Sequence, residues 1–257
     1  MIWITVLSRP DRLSALMARF DLTVAPCPPE QANFCILGTD DTPTCLTMTA
    51  QPLHPQTALA HARVSWGGDD NPLLTALPGK IRHDLTDDPD MQAIARLFIS
   101  EMQAARCGVA SVLNRLGEVL IVRLMRAQIE QGGVRVGILA ALSDPRLSRA
   151  VVAIHDRPGH PWRLDDLAQE AGLSTSRFSH LFRTRVGQTP LSYLRHWRLV
   201  LAKQDIERGD RIARVAARYA YGSPEALSRA FSGQFGRAPR SVRAQIAQAR
   251  PERQRLI

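Results

Sequence analysis

The sequence predicts an α+β protein in two parts: a small β-rich N-terminal domain carrying two helices, then an all-α C-terminal domain. Three observations predict it. Short apolar runs broken by polar and Pro-rich stretches fill residues 1–80. Two long amphipathic patterns follow over 88–131. Beyond residue 150 one pattern of apolar positions occurs twice. The 257 residues suffice for two domains. A chain that is 45% hydrophobic and 22% charged has the balance of a globular fold. No run of about 18 apolar residues occurs, so no membrane span is expected. The start, MIWITVLSRPDRL, lacks a basic n-region, so the expected location is the cytoplasm.

The elements follow in order. MIWITVL (1–7), FDLTVAP (20–26), ANFCILG (32–38), CLTMTA (45–50) and HARVSW (61–66) read as strands of a small antiparallel sheet or a reduced barrel. Residues 88–106 and 108–131 read as helices. The second carries Val109, Val112, Leu113, Leu116, Val119, Leu120, Val122, Leu124 and Met125, which is apolar over more than one face. Such a helix can pack on its own sheet and keep surface for a partner, so a homodimer is expected. The expected boundaries are 1–135 for the N-terminal domain (β-rich 1–82, helical 83–135), 136–146 for a linker and 147–257 for the C-terminal domain.

Enzymatic and metal chemistry find little support. Cys27, Cys35, Cys45 and Cys107 match no zinc or CxxC spacing, and buried reduced thiols are expected. His54 and His61 lie seven apart, with His83 further on and no carboxylate suitably spaced, so they read as surface histidines. No nucleophile motif, P-loop or dinucleotide fingerprint occurs. No cofactor is expected.

The repeat lies in the C-terminal part. Leu164, Leu167, Ala168, Ala171, Gly172 and Leu173 are matched 48 residues later by Ile212, Val215, Ala216, Tyr219, Ala220 and Tyr221. Phe178, Leu181, Phe182, Val186, Gly187 and Pro190 are matched 49 residues later by Leu227, Ala230, Phe231, Phe235, Gly236 and Pro239. Each copy reads as a short helix, a tight turn and a second helix with one apolar face, which is the helix-turn-helix pattern. In the first, Gly172 ends one helix and Ser174 caps the next, which buries Phe178, Leu181 and Phe182. In the second, the chain restarts near Ser223 and buries Leu227, Ala230 and Phe231. Between the copies Pro190–Arg208 reads as a linker helix with Leu191, Leu194, Trp197 and Leu201 on one face, ended by Gly209. Charge points the same way. Residues 151–257 hold 19 Arg and Lys against 9 Asp and Glu, while residues 1–150 hold 14 against 15. A net excess confined to one half implies a polyanionic partner for that half.

Residues 162–243 resemble the DNA-binding domain of AraC/XylS-type transcription regulators. The resemblance rests on Leu167-Ala168-x-x-Ala171-Gly172-x-Ser174, Phe178-x-x-Leu181-Phe182, Val186-Gly187-x-Thr189-Pro190-x-x-Tyr193-Leu194, Trp197-Arg198-x-x-x-Ala202, Ala216-x-x-Tyr219-x-Tyr221, Leu227-x-Arg229-Ala230-Phe231 and Phe235-Gly236-x-x-Pro239-x-x-x-Arg243. Residues 144–158 look like the helix leading into that domain. Segments 71–85, 91–103 and 111–129 look, more loosely, like the region following a cupin-type sensor barrel in one branch of the family. The N-terminal domain is therefore expected to be a reduced cupin-like fold.

The resemblance implies that the second helix of each copy enters the major groove of double-stranded DNA. It places Ser176, Ser179 and His180 toward the bases in the first copy, and Pro224, Glu225, Ser228 and Arg229 in the second. Arg177 and Arg183 become base or phosphate contacts. It also implies RNA polymerase and a small-molecule effector as further partners. Chemistry ranks the side chains: Arg229 suits guanine O6 and N7, and Glu225 suits cytosine N4. One position departs from the pattern. The family usually has Gly where this chain has Ala220, so either the turn uses Gly222 or it is strained. Two alternatives are carried: thiol sensing through the N-terminal cysteines, and a DNA-repair enzyme with the same domain. The second needs a metal-bound Cys cluster that these spacings do not supply.

Overall fold

The computed structural model describes residues 13, 17, 22–49, 51–53, 58–66, 79–104, 106–131 and 136–242. The expected strand at 1–7 lies outside the described residues, as does His54. The chain divides into two compact units, residues 1–148 with 184–187, and residues 149–183 with 188–257.

In the first unit β1 (Leu22–Pro26), β2 (Phe34–Thr39), β3 (Thr42–Thr49), β4 (Ala58–Trp66) and β5 (Lys80–Asp84) form one sheet in the order β1-β4-β2-β3-β5. Every pairing is antiparallel. Along β4 the buried Ala60, Ala62, Val64 and Trp66 alternate with half-buried His61, Arg63 and Ser65, because successive side chains point to opposite faces. Asp40 and Asp41 join β2 to β3 with φ of 48° and 59°. A two-residue turn with both φ positive matches the twist of a hairpin, and Asp tolerates that region better than most residues. β3 starts at Thr42 rather than at Cys45 as expected. Pro43 disguised it, and Pro43 sits opposite Gly38 where the register shifts, a place in a strand that proline tolerates.

Two helices cover this sheet: α1 (Pro89–Ala104) and α2 (Val109–Gln131). α1 buries Met91, Ala95, Phe98 and Ile99, and α2 buries Leu113, Leu120, Ile121, Leu124 and Met125. Phe98 meets Phe34 edge-on at 6.3 Å between ring centres. Asp88 ties the two helices to β5. One oxygen accepts from the Met91 amide at 3.0 Å and from Arg123 at 3.0 Å, and the other lies 3.3 Å from His83 Nε2. On the outer side of α2, Val112 is 38% and Val119 45% exposed. The stretch 136–146, expected as a linker, contains α3 (Ile138–Ser143) with Ile138–Leu142 buried.

The C-terminal part of the chain is helical: α4 (Leu147–Asp156), α5 (Leu164–Ala171), α6 (Thr175–Val186), α7 (Pro190–Glu207), α8 (Ile212–Arg218) and α9 (Pro224–Phe235). Asp144 caps α4, accepting from the amides of Arg146 at 2.9 Å and Leu147 at 3.4 Å. Thr189 caps α7, with Pro190 in the first turn where its missing N–H costs nothing. α7 corrects one expectation. Its burial is not a single face of Leu191, Leu194, Trp197 and Leu201. Leu191 is 42% exposed, while Tyr193, Leu194, Trp197 and every residue from Leu199 to Ile206 are buried. The reason is its position: α5 packs on it, and so do α8 and α9. His155 of α4 joins this core, stacked on Trp197 at 4.2 Å and hydrogen-bonded to the Tyr193 hydroxyl at 2.6 Å.

Candidate nucleic-acid interface

The first copy of the repeat is α5, a turn and α6. Asp166 accepts from the Arg163 amide at 2.8 Å and closes the start of α5. Gly172 ends the helix at φ 66° and ψ 38°. Its amide reaches Gln169 O at 2.9 Å, and the Leu173 amide reaches Ala168 O at 3.0 Å. These bonds satisfy the last carbonyls of α5 and aim the chain into α6. The Thr175 hydroxyl donates to Asp165 at 2.7 Å, fastening the first turns of α5 and α6 to one another. α6 buries Phe178, Phe182 and Val186, with Leu181 only half-buried. The side turned away from that core carries Ser176, Arg177, His180 and Arg183, all exposed, and Ser179, half-buried.

The second copy repeats the geometry at a cost. Ala220 stands at φ 57°, the left-handed region, and Gly222 is not among the residues of positive φ. The Ala220 amide reaches Ala217 O at 3.3 Å and the Tyr221 amide reaches Ala216 O at 2.9 Å. These are the bonds of the first turn, shifted by 48 residues. The strained alternative is therefore the one realised. The Ser223 hydroxyl accepts from the Ala226 amide at 3.1 Å and caps α9, which buries Leu227 and Phe231 and half-buries Ala230.

On the outside of α9, Glu225 and Arg229 are exposed and Pro224 and Ser228 half-buried. The Ser228 hydroxyl donates back to Pro224 O at 2.8 Å, which commits its proton and leaves its oxygen the role of acceptor. A hydrogen bond from Ser223 holds the Glu225 carboxyl below the usual carboxylate range, with help from the charge of Arg229. Pro224, Glu225, Ser228 and Arg229 share a groove of about 550 Å³ with Ile212, Ala213, Ala238, Pro239 and Arg240. Arg240 is exposed and was not singled out from the sequence, where its only signal is the basic excess of this half.

The duplication also reaches further than the apolar pattern. Arg157, just after α4, pairs with Glu170 of α5 at 2.9 Å. The positions 48 residues later are Asp205 of α7 and Arg218 of α8, and they pair as well, with Arg218 also on Asp210 at 2.7 Å. Each copy is thus three helices, the first tied to the second by an ion pair of opposite polarity. Swapped charges hid this from a comparison of apolar positions.

In the N-terminal unit Cys35 and Cys45 are buried, Cys27 is half-buried and Cys107 exposed, so burial describes two of the four thiols. Burial pushes the Cys35 thiol up to about 11 and raises that of Cys27 as well. Neither holds the thiolate that oxidant sensing uses. His61 is half-buried opposite Cys35, and His83 is engaged by Asp88.

Two helix-turn-helix copies joined by one buried helix, each with a polar outer face, have the architecture of the helix-turn-helix class of nucleic-acid-binding domain. Comparison with known proteins agrees. A family described as helix-turn-helix domain matches residues 167–245, and one described as cupin matches residues 5–130. The transcriptional regulator AlkR of Acinetobacter baylyi is 34% identical over 180 residues, 68% of this chain and 59% of its own length. A putative AraC-like transcription regulator of Streptomyces lividans is 34% identical over 176 residues, 66% of this chain and 58% of its own. The chain thus spans under two thirds of the length of these relatives. The solved DNA-binding domain of the transcriptional factor AdpA, in complex with a target DNA, is 31% identical; the match covers 42% of this chain and 98% of that one, with a TM-score of 0.39. The chain belongs to the AraC family of transcription regulators.

Proposed function

We propose that the protein is a sequence-specific regulator that places α6 and α9 in successive major grooves on one side of a duplex. One observation carries this reading. The second turn keeps the geometry of the first although Ala220 must take a left-handed backbone to do so, and an idle second copy has no reason to hold that strain. The connection between the copies suits the task, since the 18 residues of α7 span about 27 Å and adjacent groove faces lie about 34 Å apart. Ser176, Ser179 and His180 face the bases from α6, and Pro224, Glu225, Ser228 and Arg229 from α9. Arg177, Arg183 and Arg240 serve the phosphates or neighbouring bases.

The N-terminal domain, placed at residues 1–135 from the sequence, supplies dimerisation through the outer side of α2 and reads a small-molecule effector. The exposed Val112 and Val119 support the first role. RNA polymerase is the remaining partner that a regulator of this class implies, and the work is done in the cytoplasm.

The test is Arg229→Ala. It costs about 1–3 kcal/mol at one base pair and relaxes selectivity there alone. Arg240→Ala instead weakens all sequences alike and lowers the salt slope by about one. A uniform loss for Arg229→Ala overturns base reading by that residue.

A further inference from the structure

One loop of the second unit does more than connect two helices. Residues 157–163 run from α4 to α5, and the loop is stiff from within. The His160 amide donates to Arg157 O at 3.1 Å and the Trp162 amide to His160 O at 2.7 Å. The Trp162 indole N–H donates to Arg157 O at 3.0 Å. The Arg157 guanidinium lies 4.6 Å over the Trp162 ring, and His160 meets that ring edge-on at 4.5 Å.

Two carbonyls of this loop face the linker helix, and one side chain takes both. Arg198 of α7 donates from Nε to Pro158 O at 2.7 Å and from a terminal nitrogen to His160 O at 2.6 Å. The same loop abuts the second copy. A Cβ on Gly159 would fall 2.1 Å from the carbonyl oxygen of Arg218, the last residue of α8, so only glycine permits the approach. Arg198 is also within electrostatic range of Tyr221, in the turn between α8 and α9. The loop therefore touches the first copy by connection, the linker by Arg198 and the second copy by Gly159.

We propose that Arg198, acting on the loop 157–160, is a positioning residue that fixes the second helix-turn-helix against the first and so sets the base-pair spacing the protein accepts. The inference rests on the two-groove reading. An Arg fork is planar and offers paired donors in fixed geometry, which is why it can hold two carbonyls in register and a Lys cannot. Without the clamp each copy still folds and docks alone. The second docking is then no longer pre-aligned, and the ordering cost returns on binding.

The experiment uses the full chain at fixed salt and four duplexes: the selected site, the same site with one base pair inserted or one removed between half-elements, and a single half-element. Wild type prefers the native spacing. Arg198→Met weakens the native-spacing complex about tenfold, leaves the half-element within about twofold, and flattens the spacing preference. Arg198→Lys, which keeps charge and stem but loses the fork, does the same in smaller measure, and carries the comparison if the Met variant does not fold. Equal weakening on all four duplexes, or an unchanged spacing preference, overturns the proposal. A wild type with no spacing preference overturns the two-groove reading itself, and this inference with it.

Discussion

Ala220 and Gly172 occupy the same place in two turns, and the difference between them is one methyl group in a left-handed backbone. The conformation costs a non-glycine residue about 1 kcal/mol or more. Ala220→Gly is expected to stabilise the second unit by about 1 kcal/mol in urea unfolding, and no gain would mean that the turn carries no strain. Gly172→Ala is expected to lose at least as much, because its Cβ would also stand 3.0 Å from the Arg149 guanidinium. The family pattern exposed the departure at Ala220, and helix periodicity exposed the outward residues of α6 and α9. Other residues stayed hidden for physical reasons. Arg240 lies beyond the repeat it serves, and Arg198 acts through backbone carbonyls, which no side-chain pattern reports.

At the scale of elements, the start of α1 shows how one carboxylate couples three pieces. Burial pushes the Asp88 carboxyl up, but the Met91 amide, His83 and Arg123 outweigh it and hold it below its ordinary value. A depressed folded value means that Asp88 contributes stability above its unfolded value, near 4, and loses it as pH falls through the lower folded one. Asp88→Asn is therefore expected to lower the melting temperature at neutral pH and to make its fall below about pH 4 shallower than in wild type. An unchanged acid limb would show that other carboxylates carry it. Most elements were legible because their periods were clean, as in α1, α6 and α9. β3 was clipped by Pro43, whose effect on a strand depends on a register shift that only pairing reveals. α7 reads as one-sided in the sequence, yet α5, α8 and α9 pack on it together with His155 of α4, and a buried helix loses the amphipathic signal.

For the whole molecule, the exposed Val112 and Val119 on α2 lead to a definite expectation about assembly. Sedimentation should find wild type as a dimer and Val119→Glu as a monomer of unchanged fold, because a charge buried without a partner opposes association. A monomeric wild type would remove that role from α2. The division into a β-rich N-terminal part and a basic helical C-terminal part is legible in two signals, since strand-type runs end near residue 80 and the basic excess begins after residue 150. The central claim is that one chain reads two grooves. Selection from a random duplex library by the purified protein at fixed salt tests it most directly. Two-groove binding predicts an enriched motif of two half-elements centred about one helical turn apart. Enrichment of a single half-element would contradict it, leaving α9 as a strained copy that does not read DNA.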